Sequence, residues 1–181
     1  MSKIGKYRSF ENLKTINFLG INFCGNIKTI NAFPNIENVN YISIYDLDNL
    51  EKIDFISLKK TSYLNIKDNK NLTSLNFRSL TEITGEGNGD FSLSIQGNDK
   101  LTSLDGFNNL EYCEKIIDIN TRYPEYKNPL KNICALRKLI LNKMNSGNTV
   151  HEISVNTFCP NLSSIPVYST ITEFDNKCNC I

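Results

Sequence analysis

A repeat of 22 or 23 residues constrains the fold of this chain more than any other feature of its sequence. Apolar residues recur in the same order in successive copies. In the third copy they are Leu58, Leu64, Ile66, Leu72 and Leu75. In the second copy they are Ile36, Ile42, Ile44, Leu50 and Ile53, and in the first Leu13, Leu19, Ile21, Ile27 and Ile30. Repeats of this length are typical of solenoids, in which stacked copies bury what no single copy can.

Two further copies follow. The fourth begins at Leu80, but its later positions, from Leu93 onward, are displaced by 29 residues rather than 22. The displacement indicates an insertion at Gly85–Phe91, GEGNGDF, which we interpret as an excursion from one coil. The fifth copy begins at Leu110, and the pattern is lost after Asn120.

The spacing within each copy indicates its local structure. The pairs Leu19/Ile21, Ile42/Ile44 and Leu64/Ile66 alternate with polar or aromatic residues, which predicts one short strand per copy with one buried face. The following pairs, such as Leu72/Leu75, lie across a corner. Together with the residues that open each copy, these pairs predict a coil with three inward-facing sides. The sequence therefore predicts a mainly β fold, a right-handed parallel β-solenoid of about five to six coils.

The pattern L-x-I-x-x-N-x-x-L-x-x-L occurs at 64–75 and again at 93–104. It resembles leucine-rich repeats and is closest to the receptor L-domain type, because two residues separate the Asn from the following Leu. The resemblance covers about residues 10–120. It implies a binding module without catalysis.

Asparagine recurs at the predicted corners. Asn69 and Asn98 occupy a position where a side-chain amide can bond corner backbone that would otherwise be buried without a partner. Cys24 and Leu47 occupy this position in the first two copies. A second column, Asn26, Asn49 and Asn71, precedes the corner apolar residue. We expect these amides to have structural roles.

The chain changes character after Asn120. The sequence predicts a loop and helix within 121–149, the helix covering 129–144 with Asn128 as N-cap, Pro129 in the first turn and Gly147 after its end. From Val150 the repeat partly returns at Ile153/Val155, which predicts irregular closing coils over 150–181. We therefore expect a single domain, 1–181.

The outward strand positions form the candidate binding surface. In register, they give a first column with Phe18, Tyr41, Tyr63 and Ser92. A second column has Gly20, Ser43, Asn65 and Ser94, and a third has Asn22, Tyr45, Lys67 and Gln96. Tyrosine and phenylalanine among small polar residues suit protein recognition. The predicted partner-binding residues are Phe18, Tyr41, Ser43, Tyr45, Tyr63, Asn65, Lys67 and Gln96. The alternative is a ring stack that only stabilises the strands or lies under the helix.

Few residues suggest catalysis or metal binding. His151 is the single histidine and lacks a second His at metalloprotease spacing. Cys24 and Cys113 are expected to point inward as buried thiols. Cys178 and Cys180 could bind metal or pair with Cys159. We predict no cofactor and no enzyme activity. The alternatives are a β-helix polysaccharide-active enzyme using Asp46, Asp48 or Asp118, and a structural, virion or cell-surface component.

The charge balance, 20 basic against 19 acidic side chains, argues against a nucleic-acid partner. No apolar run is long enough for a membrane-spanning helix or a signal peptide. The sequence therefore predicts a monomeric, cytoplasmic protein that binds another protein and does not insert into membranes. A secreted or cell-surface location is the alternative if a leader has been removed.

Overall fold

The computed structural model describes residues 10–86, 91–119, 129–131, 133–145, 153–155, 171–178 and 180. The strands are β1 (Thr15–Asn22), β2 (Thr29–Ile30), β3 (Asn38–Tyr45), β4 (Lys52–Asp54), β5 (Lys60–Lys67), β6 (Ser74–Asn76), β7 (Glu82–Ile83), β8 (Phe91–Gln96), β9 (Tyr112–Cys113), β10 (Ile116–Ile119) and β11 (Ile153–Val155). The α-helices are α1 (Arg137–Asn145) and α2 (Ile171–Cys178). None of these helices is long and apolar enough to cross a bilayer.

The strands form two parallel sheets on different sides of the coil. The larger sheet has the order β1-β3-β5-β8-β10-β11, and β7 pairs with both β5 and β9. The smaller sheet has the order β2-β4-β6. The predicted mainly β parallel solenoid is therefore confirmed, with about four turns rather than five to six. The smaller sheet stops at β6, and a 3₁₀ turn, Asp105–Phe107, follows in the next coil.

The core is built from columns of equivalent residues in successive coils. The inward strand residues of the second and third coils, Ile42, Ile44, Leu64 and Ile66, have no exposed surface. A column of stacked rings, here called the phenylalanine stack, runs along one corner: Phe10, Phe33, Phe55, Phe77 and Phe107. Neighbouring ring centroids lie 5.1–5.9 Å apart. Each coil thus adds one aromatic layer to the same apolar column.

The predicted structural role of Asn69 and Asn98 is confirmed. Both side chains are fully buried. The Asn69 amide donates to the Ile44 carbonyl (3.2 Å), and its oxygen accepts from the Leu47 N–H (3.3 Å). The Asn98 amide donates to the Ile66 carbonyl (3.1 Å), and its oxygen accepts from the Asn69 N–H (3.2 Å). These amides satisfy corner backbone groups that are shielded from water.

The second asparagine column also bonds between coils. The Asn49 amide donates to the Gly25 carbonyl, and the Asn71 amide donates to the Asp48 carbonyl at 2.6 Å. Each bond joins a side chain to the backbone of the preceding coil. The column therefore reinforces stacking in the direction of the solenoid axis.

The two cysteines predicted to be buried differ. Cys113 on β9 is buried, as predicted. Cys24 is exposed, so the prediction for Cys24 was wrong. Cys24 is equivalent to the buried residues Leu47 and Asn69, but it lies in the first coil. In the described part of the chain, no earlier coil covers it.

The predicted helix over 129–144 begins later than expected. Residues 129–131 and 133 are not helical; a 3₁₀ turn occupies Cys134–Leu136 and α1 follows. The Lys131 N–H donates to the Thr102 carbonyl of the solenoid (3.1 Å), and Leu130 is fully buried. These contacts compete with helix formation at 129–131. Asn128 and Gly147, the predicted cap and terminator, lie outside the described residues.

The closing segment is only partly a coil. β11 pairs with β10, with Ile153 opposite Ile117 and Val155 opposite Ile119, as the partial return of the repeat predicted. Residues 171–178, however, form helix α2 rather than a coil, so that part of the prediction for 150–181 was wrong. The helix buries Phe174, Asp175 and Cys178. The remaining residues of this segment lie outside the described ranges.

Two side-chain links fasten α2 to the region that contains α1. Arg137 forms a two-pronged ion pair with Asp175, with N···O distances of 2.8 and 2.9 Å. Cys134 and Cys180 form a disulfide, and Cys178 is also disulfide-bonded. Cys180 therefore pairs with Cys134, not with Cys159 as the sequence suggested. Cys159 itself is not among the described residues.

Candidate functional site

The outer face of the larger sheet carries a column of stacked aromatic rings, here called the aromatic column: Phe18, Tyr41 and Tyr63. They lie opposite one another on β1, β3 and β5. The centroids of Phe18 and Tyr41 are 5.5 Å apart, and those of Tyr41 and Tyr63 are 4.3 Å apart, with nearly parallel planes. Phe18 is 64% exposed and Tyr41 39%, whereas Tyr63 is partly buried. The rings therefore stack on one another and still leave Phe18 and Tyr41 accessible to solvent.

Polar side chains border the aromatic column. Ser43 and Asn65 are paired on β3 and β5, and the Asn65 amide donates to the Ser43 hydroxyl (3.3 Å). Tyr45 and Lys67 form the next pair of outward residues. The Tyr45 hydroxyl accepts from the Asn22 amide. Hydroxyl, amide and ammonium groups thus lie beside the exposed rings on the same three strands.

The same outward positions are buried on the later strands. Ser92, Ser94 and Gln96 on β8 and Asp118 on β10 are each at most 8% exposed. The Gln96 amide donates to an Asp118 carboxylate oxygen (2.7 Å). Of the eight predicted partner-binding residues, the structure therefore brings seven together on β1, β3 and β5. Gln96 lies in the predicted column but is not exposed.

Phe23 extends the exposed surface and was missed in the sequence. It is 72% exposed and its ring meets Tyr45 edge to face, with centroids 5.3 Å apart. Phe23 has a positive φ of 52°, like the equivalent residues Asp46 and Asp68, and Gly97 has φ 61°. The usable signal was a phenylalanine at a turn position where other copies carry Asp or Gly.

Charges border this surface at both ends of the strands. Before the strands, Glu37 accepts hydrogen bonds from Lys59 (2.7 Å) and Lys14 (3.0 Å), which lower the pKa of Glu37. After the strands, burial raises the pKa of Asp68; Lys67 opposes this effect and Asp46 adds to it. The rings and small polar groups therefore lie between two charged borders.

The predicted insertion leaves the sheet beside the aromatic column. The N–H groups of Thr84 and Gly85 donate to the backbone carbonyls of Thr61 (2.9 Å) and Ser62 (3.0 Å), respectively. These two residues come just before Tyr63. The chain rejoins the sheet where Leu93 pairs with Leu64. Gly85 has φ +66°, and a Cβ there would lie 2.8 Å from the Ser92 hydroxyl, so only glycine fits this departure. Residues 87–90 lie outside the description.

Tyr63 gives a pH-dependent prediction. Burial, with a smaller effect from Tyr41, raises the pKa of Tyr63 from 10.0 to about 12. The folded state thus favours the neutral phenol, and this contribution to stability is present below pH 10 and is lost as pH rises towards 12. We expect the free energy of unfolding in urea to fall less between pH 10 and 12 in Tyr63→Phe than in the wild type. Tyr45→Phe is the control, and equal slopes for Tyr63→Phe and wild type would contradict the prediction.

The carboxylates named for the enzyme alternative are not assembled. Asp46 and Asp48 follow β3, whereas Asp118 lies on β10, three strands away in the sheet. Three strand spacings amount to about 14 Å, and paired glycosidase carboxylates lie roughly 5–9.5 Å apart. Among the described residues, no group of three or more His, Cys, Asp or Glu could hold a metal ion. His151 lies outside them.

Comparison with protein families gives one result. The model of the receptor L domain matches residues 11–109, which is more than half of the chain and includes β1 to β8. Receptor L domains are ligand-binding, protein-interaction modules and are not enzymes. The chain has no significant match among curated proteins and none among solved structures.

Proposed function

Because the chain belongs to the receptor L-domain family, we propose that it binds a protein ligand through the outer face of β1, β3 and β5. The observation that carries the proposal is the aromatic column, whose members Phe18 and Tyr41 are stacked yet exposed. Aromatic side chains offer large contact area at low entropic cost and are enriched at protein interfaces.

The composition of the surface supports this proposal over a purely structural ring stack. Stabilising the strands requires contact between the rings, but it does not require Phe18 to keep 64% of its surface in water. An exposed apolar ring gains little from folding and gains much when a partner covers it. Ser43, Asn65, Tyr45 and Lys67 supply hydrogen-bonding groups around the rings, as in the polar rim of an interface.

The location that best suits this function is outside the cytoplasm. Disulfides persist in oxidising compartments and are rare in the cytosol. The Cys134–Cys180 bond and the bonded Cys178 support the secreted or cell-surface alternative over the cytoplasmic one. We therefore include an extracellular ligand in the proposal.

Site-specific photo-crosslinking tests the surface. A benzophenone amino acid in place of Tyr41 should give a discrete adduct with a protein from the natural surroundings of this chain, and excess unlabelled protein should suppress it. The same amino acid in place of Tyr112 is the control, because Tyr112 is 46% exposed but lies on β9.

A surface variant completes the test. Phe18→Ser combined with Tyr45→Ser should reduce the Tyr41 adduct at least tenfold while the melting temperature changes little. Equal adducts from positions 41 and 112, or none from position 41, would contradict the proposal. A large loss of stability in the double variant would favour the structural ring stack.

A further inference from the structure

Strand β1 is an unprotected edge of the larger sheet. One side of β1 pairs with β3, and in the described ranges no strand pairs with its other side. The strand has eight residues, TINFLGIN, with no charged residue and no proline. Such an edge presents a row of backbone groups that favour pairing with another strand, and proteins usually protect it with charge, proline or a cover.

Apolar side chains are also left uncovered at this end of the solenoid. Phe10, Phe18 and Phe23 are 55%, 64% and 72% exposed, the highest values among the large apolar residues that the structure describes. Inward residues Ile16 and Ile21 of the first coil are only partly buried, whereas their equivalents in the second coil are fully buried. The first coil therefore has an incomplete core as well as an open edge.

We propose that a second copy of this chain covers this edge, with β1 pairing antiparallel to β1 of the second copy about a twofold axis. The edge suits an identical partner because it is uncharged. The nearby Lys14 and Lys28 already pair with Glu37 (3.0 Å) and Glu51 (3.4 Å) of the same chain. Two identical edges can therefore approach without strong charge repulsion.

The side chains of β1 favour one register. The Phe18 ring lies over Gly20 of its own strand, 2.6 Å from where a Cβ on Gly20 would be. With Leu19 opposite Leu19 of the second copy, Phe18 faces Gly20 of that copy, so the Phe18 rings of the two copies lie side by side over the paired glycines. Around the axis, this register pairs inward Leu19 with inward Leu19 and outward Phe18 with outward Gly20, so both strands keep the same face towards the core. The aromatic columns of the two copies then meet at the axis.

This proposal differs from the monomer expected from the sequence, and it does not depend on the proposed protein ligand. Sedimentation velocity over a concentration series tests it directly. The Cys24→Ser background prevents disulfide-linked dimers through that exposed thiol. We expect the mass to rise with concentration from 20.6 kDa towards twice that value.

Matched lysine substitutions locate the interface. The Asn40 amide donates to the Asn17 side-chain oxygen (3.2 Å), so Asn17→Lys and Asn40→Lys remove the same bond. Asn17 lies on the open edge, and Asn40 lies on β3, inside the sheet. Asn17→Lys should weaken dimerisation at least tenfold, and Asn40→Lys should resemble the wild type.

Three results would overturn the proposal. The first is a mass of 20.6 kDa at every concentration. The second is equal weakening by both lysine variants. The third is a dimer that forms only after residues 1–9 are removed, which would identify that segment as the cover of the edge.

Discussion

Replacing Phe77 by alanine should destabilise the protein by roughly 4 kcal/mol, since Phe→Ala changes in protein cores typically cost about 3–5 kcal/mol. Phe77 is fully buried in the middle of the phenylalanine stack. Its ring lies 5.5 Å from that of Phe55 and 5.1 Å from that of Phe107. The substitution therefore leaves a cavity and removes two ring contacts. Urea unfolding at neutral pH measures the loss.

Two variants control this experiment. Phe77→Leu keeps most of the apolar volume and should cost clearly less than Phe77→Ala. Phe18→Ala removes an equal ring from an exposed site and should cost less than ~1 kcal/mol, because little burial is lost. Equal losses for Phe77→Ala and Phe18→Ala would show that the stack does not contribute to the core as described.

Removing the Cys134–Cys180 disulfide should loosen the attachment of the C-terminal helix, in which Cys178 keeps its own disulfide. The bond joins residues 46 positions apart. A chain-entropy estimate for a loop of this size gives about 4 kcal/mol of stabilisation. In the double variant Cys134→Ser and Cys180→Ser, we expect amide hydrogen exchange to accelerate in α1 and α2 by at least tenfold. Exchange in β3–β6 should remain slow, because the coils do not depend on this bond.

The controls separate the disulfide from its surroundings. Cys24→Ser removes an exposed thiol without a disulfide and should leave exchange unchanged. Arg137→Met breaks only the ion pair with Asp175 and should give a smaller effect than loss of the disulfide. Unchanged exchange in the double-serine variant would contradict the prediction.

Alkylation of the unreduced native protein tests the proposed oxidising location. Cys134 and Cys180 should remain linked and unmodified; modification of both would contradict that location.

The repeated part of the fold was predictable because strand periodicity fixes which side chains face inward. Ile42/Ile44 and Leu64/Ile66 are buried in register, and the insertion between Ile83 and Leu93 is where the spacing placed it. The phenylalanine stack was visible as well, since Phe33, Phe55 and Phe77 recur every 22 residues. It was overlooked because the leucine and isoleucine positions already defined three sides of the coil.

The ends of the fold were less predictable. Helical spacing at 129–144 is a local signal, but the bond from Lys131 to Thr102 is a long-range contact that the local pattern does not encode. The same holds for α2, whose helix is fastened by Arg137 and by the disulfide. Cys24 was misplaced because a repeat position predicts burial only where a neighbouring coil exists.

The candidate surface was likewise predictable only in part. Periodicity alone placed Phe18, Tyr41 and Tyr63 in one outward column, because parallel coils of nearly constant length keep equivalent residues opposite each other. It could not show that Gln96, in an equivalent outward position, is buried beside Asp118. Outward orientation is a property of the strand, whereas exposure depends on what packs against the sheet.

The sequence by itself thus determined the coil, its inward residues and the order of its outward columns. These follow from spacing between residues close together in the chain. Only the tertiary structure decided which outward columns remain exposed, where the solenoid ends and which cysteines pair. Those properties depend on contacts between non-equivalent residues far apart in the chain, such as Gln96 with Asp118 and Cys134 with Cys180, and the repeat pattern encodes only contacts between equivalent residues.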